Sequence, residues 1–258
     1  MPKFAANLGF LFTELPFTDR IAAAAGAGFR GIEFPYPYAF DKAELADKLR
    51  AHRLEQVLIN SPRGNREGDR GLACDPDRRS EFEDSIGLAL EYARALEAPR
   101  VHVVAGLVPP GHDRDAVLDI YVENIRHAGR MLGEHGITAL IEAINTKIDA
   151  PGYFLNRPSE AARLVREMNE THVRLDFDFY HAQIMEGNLA AFFAESLDVI
   201  GHVQIADVPG RHEPGTGEIN YPFLFEMIDS SGYTGWVGCE YTPKADTVES
   251  LRWIADYL

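Results

Sequence analysis

The chain has 258 residues, 46% of them hydrophobic, and no Pro-, Gly- or Ser-rich linker interrupts it, so we expect one globular domain over residues 1–258. A net charge of −15 argues against a nucleic-acid partner, because binding to a phosphate backbone needs clustered cations. No apolar run approaches the roughly 18 residues of a membrane span, which argues against a membrane partner.

Short β-rich runs alternate with longer amphipathic runs along the whole chain. The β-rich runs predict eight strands, at Phe4–Gly9, Gly31–Phe34, Gln56–Ser61, Arg100–Ala105, Thr138–Asn145, Val173–Tyr180, Ile200–Asp207 and Trp236–Tyr241. The amphipathic runs predict eight helices, at Thr18–Ala27, Lys42–His52, Arg79–Glu97, Asp113–His135, Pro158–Asn169, Leu189–Ser196, Tyr221–Ser231 and Thr247–Leu258. Eight strand-helix units predict an α/β fold, a single (β/α)8 TIM barrel, with an open doubly wound sheet as the alternative.

Three connections that follow predicted strands are long: Pro62–Arg78, Thr146–Arg157 and Val208–Asn220. In a barrel all three would lie on the C-terminal face, where active sites form. Long loops concentrated on one face predict a lidded pocket for a small molecule rather than a flat interaction surface.

Four predicted strands end on a group that can bind a hard metal ion. These groups are Glu142, Asp178, Gln204 and Glu240, spaced 36, 26 and 36 residues apart. Residues i and i+2 of a strand share a face, so each group can point into the barrel, where buried carboxylates need a cation. Three carboxylates and an amide oxygen favour a divalent metal, Mg²⁺ or Mn²⁺, although Co²⁺ and Zn²⁺ tolerate such a set. The alternative is that they are ordinary strand-end residues that cap helices or pair with arginines.

Two residues beside these strand ends are candidates for contact with a substrate. His181 follows a predicted strand and turns toward the loop, although a lone histidine is more often structural. Arg211 lies in the third long loop, and its planar guanidinium matches a substrate carboxylate; the alternative is a solvated loop charge. His102 and His202, inside strands, are interpreted as buried structural residues.

Several segments together resemble the hydroxypyruvate isomerase family, a branch of the xylose isomerase-like TIM barrels that includes 2-oxo-tetronate isomerases. They are Ala5–Leu8, Gly28–Phe34, Ile141–Asn145, Asp149–Gly152, Asp178–His181, Gly201–Asp207, Glu213–Tyr221 and Gly235–Tyr241. The resemblance runs from the first strand to the last helix. It implies that Glu142, Asp178, Gln204 and Glu240 are metal ligands, that Glu142 and Glu240 are also the acid/base pair, and that His181 and Arg211 contact substrate. Related sugar epimerases commonly have histidine where Gln204 stands, and the glutamine favours the hydroxypyruvate branch.

The resemblance implies a metal-dependent isomerase of the aldose-ketose type, which interconverts hydroxypyruvate and tartronate semialdehyde by proton transfer through an enediolate. A 2-oxo-tetronate isomerase or a ketose 3-epimerase would use the same metal and glutamates. An abasic-site endonuclease of the same superfamily would need more histidine ligands and a basic DNA-binding face. A non-catalytic sugar-binding barrel would not need two carboxylates flanking one metal.

The cysteines and the N-terminus predict the cellular compartment. Cys74 and Cys239 are the only cysteines and form no CxxC motif, and the first residues lack a basic-then-apolar signal. We therefore expect a cytoplasmic protein that acts on a small 2-oxo acid or sugar acid. A homo-oligomer is compatible with the sequence, although no apolar stripe stands out in the predicted helices.

Overall fold

Eight parallel strands close into a barrel in which each strand pairs with its neighbour in sequence and β1 also pairs with β8. The computed structural model describes residues 1–255 and 257–258. The strands are β1 (Lys3–Asn7), β2 (Gly31–Glu33), β3 (Glu55–Asn60), β4 (Arg100–His102), β5 (Thr138–Glu142), β6 (Val173–Asp178), β7 (Ile200–Ile205) and β8 (Trp236–Cys239). The predicted (β/α)8 barrel is confirmed, and the open sheet is excluded.

Helices cover the outside of the barrel. They are α1 (Phe17–Gly26), α2 (Lys42–His52), α3 (Arg79–Ala95), α4 (Arg114–Gly133), α5 (Pro158–Met168), α6 (Phe179–Met185), α7 (Leu189–Ser196), α8 (Tyr221–Ser230) and α9 (Thr247–Ser250), with short 3-10 turns at Pro76–Arg78 and Arg252–Ile254. Two of them, α2 and α7, have the predicted bounds. None of the described helices is long and apolar enough to cross a membrane.

The sixth strand is shorter than predicted, and a helix that the sequence pattern did not indicate follows it. The prediction for Val173–Tyr180 is wrong at its end, because the strand stops at Asp178 and α6 starts at Phe179. The Asp178 side chain accepts the backbone N–H of Tyr180 and so caps the new helix. A cap residue therefore ends the strand, although the following residues are apolar.

The predicted last helix, Thr247–Leu258, is also wrong in length. The chain forms α9 and then the 3-10 turn at Arg252–Ile254, and residue 256 lies outside the described residues. Within this turn the Trp253 ring stacks on Phe225, with ring centroids 5.5 Å apart, and meets Phe4 edge-on. Aromatic packing against the end of the barrel thus replaces a continuous helix.

Two separate apolar clusters hold the barrel together. The large one lies between the strands and the helices. The small one lies inside the barrel and contains Ala5, Val57, Leu58 and Leu140, with Trp236 packed against it. Because Trp236 is the first residue of β8, this plug marks the N-terminal end of the interior, and polar side chains occupy the other end.

The loop after β3 approaches the end of β4 very closely. Gly71 bridges to Ala105, and its backbone has a φ of 138°, a conformation that favours glycine. A Cβ atom at position 71 would lie 2.4 Å from the carbonyl oxygen of Val104. The contact fixes this loop over the C-terminal face of the barrel.

We expect Gly71→Ala to lower the free energy of unfolding by more than about 3 kcal/mol, because backbone strain adds to the steric overlap. Gly68→Ala is the matched control: Gly68 also has a positive φ, of 85°, but its Cβ would meet nothing within 4 Å. That variant should lose about 1 kcal/mol. Denaturant unfolding measures both, and equal losses would contradict the steric argument.

Candidate active site

Four side chains at the carboxyl ends of the strands form one titratable cluster. Glu142 ends β5, Asp178 ends β6, Glu240 directly follows β8, and His181 lies in the first turn of α6. Each offers a possible ligand atom, and these atoms all lie within 4.8 Å of one another. The structure thus brings together the three predicted carboxylate ligands and His181, one of the two predicted substrate contacts.

Asp178 divides its two carboxylate oxygens between the backbone and the cluster. Its Oδ1 accepts the N–H of Tyr180 at 2.7 Å. Its Oδ2 is buried without a hydrogen-bond partner among the described residues and lies 3.6 Å from Nε2 of His181. A residue that caps α6 with one oxygen therefore presents the other to the site.

Gln204, the fourth predicted ligand, lies beside Asp178 in register between β6 and β7. Its Nε2 donates to Oε1 of Glu33 at 2.8 Å. This hydrogen bond fixes the orientation of the amide and leaves the amide oxygen for another partner. Glycine at position 238 makes room for the pair, since a Cβ there would come within 2.3 Å of Oε1 of Glu33.

Glu33 is a site residue that the sequence analysis missed. Buried at the end of β2, it accepts hydrogen bonds from Asn7 at 3.0 Å and Gln204 at 2.8 Å, and lies 2.7 Å from Nε2 of His202. Asn7 also donates to Oε1 of Glu240 at 3.0 Å. A carboxylate at the end of the second predicted strand was the signal that could have identified Glu33. His202 is buried as expected, and its contact is this carboxylate.

A second buried group lies against the cluster. His102, Glu142 and Asp176 offer possible ligand atoms within 4.8 Å of one another, and Nδ1 of His102 lies 3.3 Å from Oε2 of Glu142. Burial, assisted by His202, lowers the pKa of His102 to about 3, so its ring is neutral. Glu142 therefore faces His102 with one oxygen. Its Oε1, for which the described part of the chain offers no hydrogen-bond partner, lies 3.6 Å from Nε2 of His181.

Arg211 enters the site from the third long loop and is surrounded by negative charge. It forms an ion pair with Oε2 of Glu240 and another with Asp149 at 3.2 Å. Its guanidinium lies between the rings of Phe10 and Tyr180, 4.5 and 5.0 Å from their centroids. Burial alone would lower the pKa of Arg211, but the neighbouring carboxylates raise it above its usual value. The positive charge of Arg211 is thus paired largely with groups of the protein itself.

Asn145 fixes the tautomer of His181. The Asn145 Oδ1 accepts two backbone N–H groups, at 2.9 and 3.1 Å, so its Nδ2 must face Nδ1 of His181 at 2.8 Å. The backbone N–H of Asn145 also points to Nδ1, at 3.4 Å. Nδ1 is therefore an acceptor, and the proton resides on Nε2, which faces Glu142 and Asp178. In this tautomer His181 offers a hydrogen-bond donor to the site.

Burial raises the pKa of every carboxyl group in the cluster. The pKa of Glu142 lies well above its usual value, with the charges of Asp176, Glu240 and Asp178 adding to the effect of burial. Burial raises the pKa of Glu240 to about 8 and that of Asp178 to about 6, although Arg211 opposes both. The raised pKa values reflect negative charge that the protein itself compensates poorly, and a divalent cation could compensate it. The oxygens of Glu142 and Asp178 that lack hydrogen-bond partners among the described residues fit that role.

The cluster opens into a cavity of about 190 Å³ on the C-terminal face. Its wall includes Glu142, His181, Arg211 and Glu240, together with residues from the Pro62–Arg78 and Thr146–Arg157 loops. Residues of all three long loops line this cavity, as predicted, and its use by a small molecule stays a prediction. A cavity of about 210 Å³ at the opposite end, near Trp236, contains none of the clustered carboxylates.

Comparison with known proteins identifies a matching family and relatives that are similar over their full length. Residues 21–257 match the family model described as xylose isomerase-like TIM barrel. A 2-oxo-tetronate isomerase of Cupriavidus necator is 47% identical over 100% of this chain and 99% of its own length. A hydroxypyruvate isomerase of Escherichia coli is 44% identical over the full length of both. A solved structure titled AP endonuclease, family 2, from Brucella melitensis has a TM-score of 0.96 and 46% identity, covering 100% of this chain and 99% of that one.

The raised pKa of Glu240 predicts how the stability of the metal-free protein depends on pH. Between pH 4.5 and about 8 the folded state keeps a proton on Glu240 that the unfolded chain has lost. The free energy of unfolding should therefore fall as pH rises through this window, by up to about 1.4 kcal/mol per pH unit.

Denaturant unfolding of the chelator-treated protein across the same pH range measures this slope. Glu240→Gln removes the titrating group and should make the slope shallower. An identical slope in that variant would show that other groups are responsible.

Proposed function

The chain belongs to the xylose isomerase-like TIM barrel family and, within it, to the hydroxypyruvate isomerase family, and on this premise we propose that it is a metal-dependent isomerase that interconverts hydroxypyruvate and tartronate semialdehyde. The observation that carries the proposal is the meeting of Glu142 and Glu240. Their strands, β5 and β8, are not neighbours in the barrel, yet their carboxylate oxygens lie within 4.8 Å of each other. Two carboxylates at one small cavity can serve adjacent carbon atoms of a short substrate.

We infer that Glu142, Asp178, Gln204 and Glu240 hold the metal ion. The support for this inference is the excess of buried carboxylates, their raised pKa values and the oxygens of Glu142 and Asp178 that lack hydrogen-bond partners among the described residues. All four donors would be oxygen atoms, which suits Mg²⁺ or Mn²⁺. A divalent ion held there would supply Lewis-acid chemistry, which stabilises negative charge that develops on the substrate oxygens.

The residues of the chain would move the protons. Isomerisation transfers a proton from C3 to C2 of hydroxypyruvate and another from the C3 oxygen to the C2 oxygen. One of Glu142 and Glu240 removes the carbon-bound proton, and the other delivers a proton to the neighbouring carbon. His181 donates from Nε2 to a substrate oxygen on which negative charge develops. Arg211 orients Glu240 and favours its ionised form.

A four-carbon acid is the second candidate substrate. The relative at 47% identity is named 2-oxo-tetronate isomerase, and the one at 44% is named hydroxypyruvate isomerase. A ketose 3-epimerase would also use the same metal and glutamates. Comparing kcat/KM for hydroxypyruvate, 2-oxo-tetronate and free ketoses distinguishes the three reactions.

Nucleic acid is a poor substrate for this chain, although the Brucella protein is titled an AP endonuclease. The net charge of −15 provides no surplus of cations for a phosphate backbone. The two possible metal-binding groups among the described residues contain one histidine each. Both observations favour the isomerase.

We also propose a cellular compartment and a domain organisation for this protein. Cys74 and Cys239 are buried free thiols, in keeping with a reducing cytoplasm, where we propose that the enzyme acts. We propose that residues 1–258 form one domain, because a single closed barrel includes strands from Lys3 to Cys239.

Glu142→Gln and Glu240→Gln should each lower kcat by about 10²- to 10⁴-fold without unfolding the protein, because each removes a proton carrier. Steady-state kinetics at saturating metal, with the metal content of each variant measured, tests this. Glu218→Gln is the matched control, since Glu218 is an exposed loop residue that contacts Gln183. Near-normal turnover in either active-site variant would exclude the acid/base assignment.

Removal of the metal should abolish turnover, and Mg²⁺ or Mn²⁺ should restore it, because the carboxylates alone cannot acidify the substrate sufficiently. Asp178→Asn should weaken metal binding yet recover kcat at high metal concentration, since Asp178 carries no proton in the mechanism. Elemental analysis establishes that the ion has been removed. Undiminished activity in the stripped protein would overturn the metal proposal.

A further inference from the structure

Two arginines in the loop after β3 lie together over the cavity. The backbone N–H of Gly71 donates to the carbonyl oxygen of Arg63 at 2.9 Å, which closes the segment between them and brings Arg70 close to Arg63 in the fold. The bridge from Gly71 to Ala105 ties this closure to the end of β4. Arg63 and Arg70 both contribute to the wall of the cavity that contains Glu142 and His181.

A partly buried ion-pair network centred on Arg78 holds the same loop in place. The guanidinium of Arg78, which is 7% exposed, donates to both oxygens of Asp69 at 2.7 Å and to Glu81 at 2.6 and 2.9 Å. Asp69 in turn accepts the N–H of Arg66 at 2.8 Å. Bidentate pairing of this kind restricts the loop, so the two arginines are presented by an ordered segment.

Neither Arg63 nor Arg70 has a carboxylate partner among the residues that the structure describes. Arg63 stacks over the ring of Tyr36, 4.1 Å from its centroid, and Arg70 donates to the carbonyl oxygen of Asp149 at 3.2 Å. Within the described part of the chain, no carboxylate lies within 4.0 Å of either guanidinium, whereas three carboxylates lie within that distance of Arg211 in the same cavity. Their positive charges are available to a ligand.

The cavity needs such charges if its ligand is an anion. The chain carries a net charge of −15, and Glu142, Asp149 and Glu240 line the same cavity. An incoming carboxylate would be repelled unless local cations outweigh these groups within a Debye length of roughly 8 Å. Guanidinium groups match a planar carboxylate and form charge-assisted hydrogen bonds with it.

We propose that Arg63 and Arg70 form the receptor for the substrate carboxylate and so select 2-oxo acids over neutral ketoses. This inference rests on the proposed function and assigns its selectivity to residues outside the carboxylate cluster. Arg211 then orients Glu240, and the loop arginines hold the end of the substrate that does not react.

Binding measurements test this proposal without depending on turnover. The probes are pyruvate and its neutral counterpart hydroxyacetone, in which CH₂OH replaces the carboxylate, measured by calorimetry on the metal-loaded protein. Arg63→Gln and Arg70→Gln should each weaken pyruvate binding by about 10- to 100-fold, the effect of losing one charge-assisted hydrogen bond. Hydroxyacetone binding should stay unchanged. Arg66→Gln, an exposed arginine of the same loop that does not line the cavity, should alter neither.

Increasing salt should reduce the preference of the wild-type protein for pyruvate. Equal losses for the two probes, no loss in the variants, or a wild-type protein without preference for pyruvate would each overturn the proposal. Failure of the proposed function is a different result: the wild-type protein would bind pyruvate through these arginines yet turn over neither hydroxypyruvate nor 2-oxo-tetronate.

Discussion

Buried negative charge is the constraint on which this structure depends. Five carboxylate groups meet at one end of a barrel whose other end is closed by an apolar plug: Glu33, Glu142, Asp176, Asp178 and Glu240. Removing so many carboxylates from water costs several kcal/mol for each ion unless hydrogen bonds or cations compensate. The compensation is uneven, since Glu33 has three close polar partners. Among the described residues, Glu142 and Asp178 each keep one oxygen without a hydrogen-bond partner, and Asp176 keeps two. Glu33 is therefore a supporting carboxylate, whereas carboxylates with such unpartnered oxygens are suited to a metal ion.

The strand ends and the loops contribute different groups to the site. The strand ends present the groups that we assign to metal binding and proton transfer, and their spacing is set by the hydrogen-bonded register of the sheet. The loops contribute the charges that meet the rest of the substrate, with Arg63 and Arg70 from one and Asp149 from another. A barrel built in this way can keep its chemistry while loop residues change the preferred acid. Full-length relatives named for a three-carbon and a four-carbon substrate, at 44% and 47% identity, are consistent with that division.

Much of the fold and part of the site could be predicted because both follow from local patterns. The alternation of β-rich and amphipathic runs determines the eight parallel strands, and the carboxyl ends of such strands must meet on one face. Glu142, Asp178 and Glu240 could therefore be grouped from the sequence. The position of Glu33 at the end of a predicted strand would place it on the same face, but its role depends on partners 169 and 171 residues away, which no local pattern links to it.

By itself the sequence determined the eight strand-helix units, the face that carries the site and the acidic character of that site, because strand periodicity and residue type are local properties. The tertiary structure decided which atoms and charges of these side chains are available to a metal ion or a substrate. Asn145 places the proton of His181 on Nε2, and Asp149 with Glu240 engages the charge of Arg211. The positive charges of Arg63 and Arg70 are available to a ligand. These outcomes depend on distances between loops that are far apart in the chain, and only closure of the barrel brings those loops together.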